Sequence, residues 1–152
     1  MKLKVLIVDD EPLARRIIEG YCSHLADLEV FGSVADVFMA RTVLESGKVN
    51  LLFIDINMPV LNGIDFIRTL AEKPFTVFTT AYKEYAHEAF DLAATDYLLK
   101  PFSLERFIQA VDKAKAVLKN KDSASAAGNH TFIKHDGRLI KLYFDELCYI
   151  EA

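Results

Sequence analysis

Four short apolar segments of the chain end in residues that can take part in charge or hydrogen-bond chemistry. In chain order these residues are Asp9 with Asp10, Asp55, Thr80 and Lys100. A lone carboxylate in such a position is usually a helix cap or a solvated loop residue. Carboxylates, a hydroxyl and an ammonium group that each follow their own apolar segment form a more specific pattern, which we interpret as a functional site.

The chemistry of these groups favours a hard metal ion. Carboxylates a few ångströms apart repel one another. Either one of them binds a proton, or a cation compensates for their charge. The donors of Asp9, Asp10 and Asp55 are all oxygens, and oxygen ligands without Cys or His favour Mg²⁺. Lys100 adds a compact positive charge on a flexible stem. The residues therefore predict a Mg²⁺ site, provided that the fold brings them together.

An alternation of strands and helices would do so. Each strand candidate is rich in Val, Ile, Leu or Phe without polar alternation, which is typical of parallel strands covered on both faces. Helically spaced apolar residues separate the strands, as in the stripe of Leu13, Ile17 and Tyr21. We predict strands at Leu3–Val8, Leu28–Val34, Leu51–Ile54, Phe75–Thr79 and Asp96–Leu99.

This alternation, with short connections, predicts an α/β protein with a doubly wound parallel sheet. Ligands of such sheets bind beyond the carboxyl ends of the strands. All the residues singled out above should therefore lie at one edge of the sheet.

Composition narrows the class of protein. The chain has 152 residues, of which 52% are apolar and 26% charged, so it is expected to be ordered. Its net charge of −4 excludes a uniformly basic protein that coats nucleic acid. The apolar runs are far shorter than the roughly 20 residues of a membrane span. The apolar run after the basic start stops at Asp9, which indicates a strand rather than a signal peptide, and we expect a cytoplasmic protein with reduced thiols.

The composition changes near Lys121. We predict one domain over residues 1–121, a small, polar linker over 122–130, and strands over 131–152 around a turn at Asp136-Gly137. A segment as short as 131–152 cannot bury a core of its own. We expect it to be the beginning of a second domain of a longer protein.

Residues 1–121 resemble the receiver domain of bacterial two-component response regulators. The matching motifs are Val8-Asp9-Asp10-Glu11-Pro12, Asp55-Ile56-Asn57-Met58-Pro59 with Gly63, Thr80-Ala81, and Tyr97-Leu98-Leu99-Lys100-Pro101-Phe102. The resemblance implies a five-stranded, flavodoxin-like sheet of order 2-1-3-4-5 with helices on both faces. It also implies a signalling protein that is not an enzyme, apart from self-phosphorylation and autodephosphorylation, and that receives its phosphoryl group from a sensor histidine kinase.

The resemblance further implies a role for each acidic residue. Asp55 is the phosphoacceptor, and the carboxylates of Asp10 and Asp55 bind Mg²⁺. Asp9 helps to hold the metal, largely through water. The main-chain carbonyl of Asn57 is the remaining protein ligand.

Three further residues take roles from the same resemblance. Lys100 pairs with the acidic site, and Thr80 hydrogen-bonds the phosphoryl group. Movement of Thr80 would vacate space for the ring of Tyr97, which gives a switch with two states. A cis peptide bond is expected before Pro101.

The end of the chain has a second resemblance. The segments 132–138 and 146–152 are similar to the opening of the LytTR DNA-binding domain, so DNA binding is expected only from the complete domain. We also expect a homodimer through the fourth helix, fifth strand and fifth helix. Charged residues on that face that could form cross-dimer pairs are Lys83, Glu84, Asp91, Asp96, Arg106 and Lys113.

Two other functions compete with this interpretation of the residues. A Mg²⁺-dependent phosphohydrolase would use Asp55 or Asp9 as nucleophile, but the dehalogenase-type signature Asp-x-Asp is replaced here by adjacent Asp9-Asp10. A nucleotide or flavin binder needs a Gly-rich or Ser/Thr-rich loop after the first strand. The acidic loop present there would repel phosphate unless a metal ion intervenes.

Overall fold

The computed structural model describes residues 2–127, 130–135 and 138–143, with side chains described as far as residue 119. The chain divides into two compact units, Met1–Ala110 and Val111–Ala152. The first unit contains every residue that the sequence singles out as a candidate for phosphoryl chemistry.

A five-stranded parallel sheet forms the centre of the first unit. Its order, β2-β1-β3-β4-β5, is the predicted one. In the register of the sheet, Val8 pairs with Ile54 and Asp55 pairs with Thr79, so the carboxyl ends of the central strands meet at one edge. The strands are β1 (Leu3–Val8), β2 (Leu28–Val34), β3 (Leu51–Asp55), β4 (Phe75–Thr80) and β5 (Asp96–Leu99).

Helices alternate with the strands. The carboxylate of Asp36 accepts a hydrogen bond from the Met39 N–H, and Asn62 caps the next helix through the Asp65 N–H, both at 2.8 Å. These caps fix where two of the helices begin. The helices are α1 (Pro12–Ser23), α2 (Val37–Leu44), α3 (Gly63–Arg68), α4 (Ala86–Asp91) and α5 (Leu104–Ala127), with a 3₁₀ turn at Lys83–Tyr85.

Apolar side chains cover both faces of the sheet, as predicted. On one face, buried residues of β1, β3 and β4 form a cluster with residues of α2, α3 and α4. On the other face, the ring of Phe107 stacks on Phe53 at 5.0 Å between centroids and contacts Tyr21 at 5.4 Å. The central strands are thereby held between two apolar layers.

The buried face of α1 differs from the predicted stripe. Ile18 and Cys22 are buried, whereas Leu13 and Ile17 are 67% and 44% exposed. Successive helical residues point roughly 100° apart, so a shift of one position turns the helix to another face. The spacing of apolar residues predicted the helix correctly but not its orientation.

The end of the chain also differs from the prediction. Helix α5 extends to Ala127, so 122–127 is helical rather than an irregular linker. Alanine favours helix, and no Gly or Pro interrupts the sequence before Gly128. The two strands predicted for this segment are present as antiparallel β6 (His130–His135) and β7 (Arg138–Tyr143), and the predicted turn at 136–137 lies outside the described residues. The predicted run at 147–150 lies outside the described residues.

Candidate functional site

Three carboxylates come together at the carboxyl edge of β1 and β3. One carboxylate oxygen from each of Asp9, Asp10 and Asp55 lies within 4.8 Å of the others. Asp9 and Asp55 are buried, and Asp10 is exposed. The fold thus assembles the acidic cluster that the sequence predicts, with one carboxylate open to solvent.

Lys100, just after β5, reaches into this cluster. Its Nζ lies 2.8 Å from Asp9 Oδ2 and 3.5 Å from Asp55 Oδ1. Burial alone would lower the pKa of Lys100, but the hydrogen bond to Asp9 and the charges of Asp55 and Asp9 raise it. Lys100 is therefore a fixed positive charge. The sequence predicted that Lys100 pairs with the acidic site, but not that Asp9 is its closer partner.

The electrostatics of Asp55 show that one lysine does not balance this cluster. Burial, followed by the charge of Asp9, raises the pKa of the Asp55 carboxyl to about 6. Lys100 and the main-chain N–H of Asn57 oppose this rise without cancelling it. A divalent cation among these oxygens would supply the missing positive charge. The donor set, all oxygen and partly exposed, fits Mg²⁺.

Local backbone contacts hold Asp9 in place. Its Oδ1 accepts a hydrogen bond from the Glu11 N–H at 2.9 Å. Its main-chain carbonyl accepts a hydrogen bond from Arg15 Nη1 at 2.7 Å. Both carboxylate oxygens of Asp9 are therefore engaged, one by Glu11 and one by Lys100. This leaves Asp55 and Asp10 as the carboxylates with more freedom to bind a ligand.

The loop after Asp55 depends on a close approach at Gly63. A Cβ at this position would lie 2.4 Å from the main-chain oxygen of Asp55. The Gly63 N–H donates to the carbonyl of Ile56 at 2.9 Å, which closes the loop. At its tip, Val60 has a φ of 74° and is 89% exposed. The expected cis peptide is present between Lys100 and Pro101.

Thr80 belongs to a hydrogen-bond network that the sequence did not predict. Its hydroxyl donates to Asn57 Oδ1 at 2.8 Å and accepts from the Tyr82 N–H at 3.2 Å. Asn57 Nδ2 donates in turn to the hydroxyl oxygen of Tyr85 at 3.2 Å. The side chain of Asn57 thus connects the end of β4 with the 3₁₀ turn before α4.

Tyr97 and its neighbours form a second group of contacts on β5. The Tyr97 hydroxyl donates to the main-chain carbonyl of Tyr82. Burial and the nearby Glu84 carboxylate raise the pKa of Tyr97, so it remains a donor at neutral pH. Arg106 holds Asp96 through two hydrogen bonds of 2.7 Å. Two charges expected to pair across a dimer are thus paired within one chain.

Thr79, immediately before Thr80, has an unusual hydroxyl. Among the described residues, its Oγ1 is the buried side-chain polar atom that has no hydrogen-bond partner. Thr79 pairs in register with Asp55, so this hydroxyl lies on the strand next to the phosphoacceptor candidate. Buried polar atoms without a partner are rare in proteins. No signal in the sequence distinguishes Thr79 from any other strand threonine.

The parallel sheet with an acidic cluster and a lysine at its carboxyl edge defines a class of signalling domain, and family comparison agrees. The chain belongs to the response regulator receiver domain family, whose model matches residues 5–112. Receiver domains bind Mg²⁺ in an acidic pocket, and the Asp9–Asp10–Asp55 cluster is the corresponding pocket here.

Individual relatives agree with this family. Protein MrkE of Klebsiella pneumoniae is 37% identical over 99% of this chain and 57% of its own length. The transcriptional regulatory protein LytR of Staphylococcus aureus (strain MW2) is 37% identical over 90% of this chain and 57% of its own length. The chain therefore spans little more than half the length of these relatives. Similarity to LytR agrees with the LytTR resemblance of the sequence.

Solved structures show the same architecture. The crystal structure of the response regulatory domain of MrkE is 39% identical, with a TM-score of 0.70 over 77% of this chain and 98% of that one. The REC domain of AraT, a response regulator from Geobacillus stearothermophilus, is 33% identical, with a TM-score of 0.69 over 80% of this chain and 99% of that one. In the part of the chain that the structure describes, no helix is both long and apolar enough to cross a membrane.

Proposed function

We propose that this chain is the phosphoryl-accepting part of a two-component response regulator, with Asp55 as the phosphoacceptor. The donor is a sensor histidine kinase, and the phosphorylated state controls transcription through a LytTR-type DNA-binding domain. The observation that carries the proposal is the charge imbalance at Asp55. A buried carboxyl with a pKa of about 6 lies beside a second buried carboxylate and only one lysine.

The residues support a simple displacement at phosphorus. A carboxylate oxygen of Asp55 attacks the phosphorus of a phosphohistidine, the P–O bond forms, and the P–N bond breaks as the imidazole leaves. Lys100, 3.5 Å from Asp55 Oδ1, faces the negative charge that gathers there. Its positive charge opposes the repulsion between the anionic nucleophile and the anionic phosphoryl group.

Mg²⁺ is the cofactor of this proposal. Asp10 and Asp55 would hold it through their carboxylates, Asp9 largely through water, and Asn57 through its main-chain carbonyl. When bound, the ion supplies positive charge to the phosphoryl oxygens. The exposed position of Asp10 leaves the ion accessible to solvent and to the donor.

Thr80 and Tyr97 would transmit the change. An acyl phosphate on Asp55 carries roughly 1.5 to 2 negative charges in place of the single charge of the carboxylate, and it brings new acceptor oxygens. The hydroxyl of Thr80 would then donate to one of these oxygens, and the ring of Tyr97 would turn into the vacated space. The α4–β5–α5 face would carry the signal to a second protomer. We place this exchange in the cytoplasm, with DNA bound only by the complete output domain.

The phosphohydrolase alternative is not favoured. A hydrolase would release phosphate repeatedly, whereas a receiver holds one phosphoryl group. The family match over residues 5–112 agrees with the second behaviour. The absence of an Asp-x-Asp motif at Asp9-Asp10 agrees with it as well.

Intact-mass spectrometry tests the proposal. With acetyl phosphate and Mg²⁺, the wild-type chain should gain one phosphoryl group, and Asp55→Asn should gain none. Asp112→Asn, which neutralises an exposed carboxylate on α5, is the matched control and should be labelled like the wild type. Undiminished labelling of Asp55→Asn, or release of phosphate that continues in Asp55→Asn, would overturn the proposal.

A further inference from the structure

The side chain of Asn57 holds the switch threonine in one orientation. The hydroxyl of Thr80 has a single proton, and this proton is donated to Asn57 Oδ1 at 2.8 Å. The same hydroxyl accepts from the Tyr82 N–H at 3.2 Å. The one proton that Thr80 can donate is therefore already used, and Thr80 cannot donate to a phosphoryl oxygen until it leaves Asn57.

Asn57 is itself held from the other side. Its Nδ2 donates to the hydroxyl oxygen of Tyr85, at the end of the 3₁₀ turn before α4, at 3.2 Å. The ring of Tyr85 lies edge-on to the ring of Tyr82, with 6.5 Å between centroids. We call this hydrogen-bonded chain of Tyr85, Asn57 and Thr80 the amide bridge.

We propose that the amide bridge is a latch that stabilises the unphosphorylated state, and that Tyr85 is the positioning residue that sets its strength. This inference rests on the proposed function and adds a residue to it. Asn57 has two separate tasks in this arrangement. Its main-chain carbonyl would serve the metal site, and its side-chain amide restrains Thr80.

The position of the amide bridge gives it a direct effect on signalling. Tyr82 connects the bridge to β5, because its N–H donates to Thr80 and its carbonyl accepts from Tyr97. When the Thr80 hydroxyl leaves Asn57, its contact with the segment that holds Tyr97 would therefore change as well. The energy of the bridge adds to the cost of switching, because a ligand must favour the switched state by more than this energy.

Replacement of Tyr85 by Phe removes only the hydroxyl that anchors Asn57 and keeps the ring against Tyr82. We expect Tyr85→Phe to bind beryllofluoride, a stable phosphoryl analogue, at about threefold to tenfold lower concentration in the presence of Mg²⁺, as for loss of one net hydrogen bond. ¹⁹F NMR of the bound analogue gives the half-saturating concentration directly.

Tyr82→Phe is the matched control. Among the hydrogen bonds of the described residues, none involves the Tyr82 hydroxyl, although its ring is close to that of Tyr85. Its affinity for beryllofluoride should equal that of the wild type. A double variant separates restraint of Thr80 from a general loss of structure. In a Thr80→Val background, the additional change Tyr85→Phe should have no effect on affinity.

The outcomes separate the two proposals. If the wild-type chain binds beryllofluoride but Tyr85→Phe binds it with unchanged affinity, the amide bridge is wrong and the proposed function stands. If Tyr85→Phe raises the affinity for beryllofluoride as much in the Thr80→Val background as in the wild type, the proposal of the amide bridge is also wrong. If the wild-type chain neither binds beryllofluoride nor accepts a phosphoryl group, the proposed function fails and this inference fails with it.

Discussion

Two cations in this protein face buried carboxylates in opposite ways. Arg106 binds Asp96 through two hydrogen bonds of 2.7 Å, which matches one positive charge with one negative charge in a planar, bidentate geometry. Lys100 approaches Asp9 at 2.8 Å and Asp55 at 3.5 Å, so one positive charge serves two buried carboxylates. The first arrangement is closed, and the second is open to a further cation.

This difference gives the two regions different roles: the Asp96–Arg106 pair stabilises the fold, and the cluster at Asp55 is suited to bind a ligand. The Asp96–Arg106 pair joins β5 to α5, and the guanidinium also donates to the Tyr97 carbonyl at 3.2 Å. The charges of this pair balance each other, so the pair does not attract a further ion. The cluster at Asp55 keeps an excess of negative charge within a folded framework. Such an excess costs stability in the free protein and would be relieved by a bound metal ion.

Removal of Lys100, which the two carboxylates share, should give the largest change in the free energy of unfolding. Lys100→Met leaves Asp9 and Asp55 buried without their cation, and we expect a loss of about 3 kcal/mol in the free energy of unfolding at neutral pH. The loss should shrink as the pH falls and Asp55 takes up a proton. Urea unfolding in metal-free buffer measures it. An unchanged stability would show that the cluster is balanced without Lys100.

Neutralisation of Asp55 should change stability in the opposite direction. Its pKa of about 6 lies above the ordinary 3.8, so the favourable contribution of its protonated form is complete below about pH 4 and is lost as the pH rises through 6. The difference between these two pKa values corresponds to about 3 kcal/mol at most in the free energy of unfolding. Asp55→Asn should therefore be more stable than the wild type at neutral pH and equally stable near pH 4. Urea unfolding at both pH values checks this, and an equal gain at both would contradict it.

Disruption of the closed pair should give a smaller loss that metal does not change. Arg106→Met keeps the aliphatic stem but removes both bonds to Asp96, and we expect a loss of about 2 kcal/mol. Arg68→Met, which breaks exposed pairs with Asp65 and Glu88, is the control and should cost about 0.5 kcal/mol or less. Thermal unfolding with and without Mg²⁺ measures both. Rescue of Arg106→Met by Mg²⁺ would remove the distinction between the two regions.

The smallest effect concerns the unpartnered hydroxyl beside Asp55. Thr79→Val removes a buried oxygen that has no hydrogen bond, so we expect a gain of about 1 kcal/mol in stability. Thr76 lies on the same strand, is also buried, and donates to the Pro74 carbonyl at 2.9 Å. Thr76→Val should therefore lose about 1 kcal/mol. Equal losses from both substitutions in urea unfolding would show that the Thr79 hydroxyl has a partner.

The sequence predicted the framework of the site better than its contacts. The strand ends at Asp55 and Thr80 follow from apolar runs that stop at polar residues, and parallel strands must then bring those ends together. The choice between Asp9 and Asp55 as the nearer partner of Lys100 depends on side-chain rotamers. The bonds from Asn57 to Thr80 and Tyr85 depend on how the 3₁₀ turn packs. Such choices are made by tertiary contacts that no spacing in the sequence records.

Gly63 has a consequence for how this sequence can vary. Because a Cβ there would meet the Asp55 carbonyl at 2.4 Å, any substitution would push the loop away from Asp55, the proposed phosphoacceptor. Gly20 on α1 has no atom within 4 Å of the corresponding position. In a library of random single substitutions, position 20 would accept many residues, whereas position 63 would accept almost none. The lack of a side chain at position 63 thus restricts the sequence of this domain more than most of its charged surface residues do.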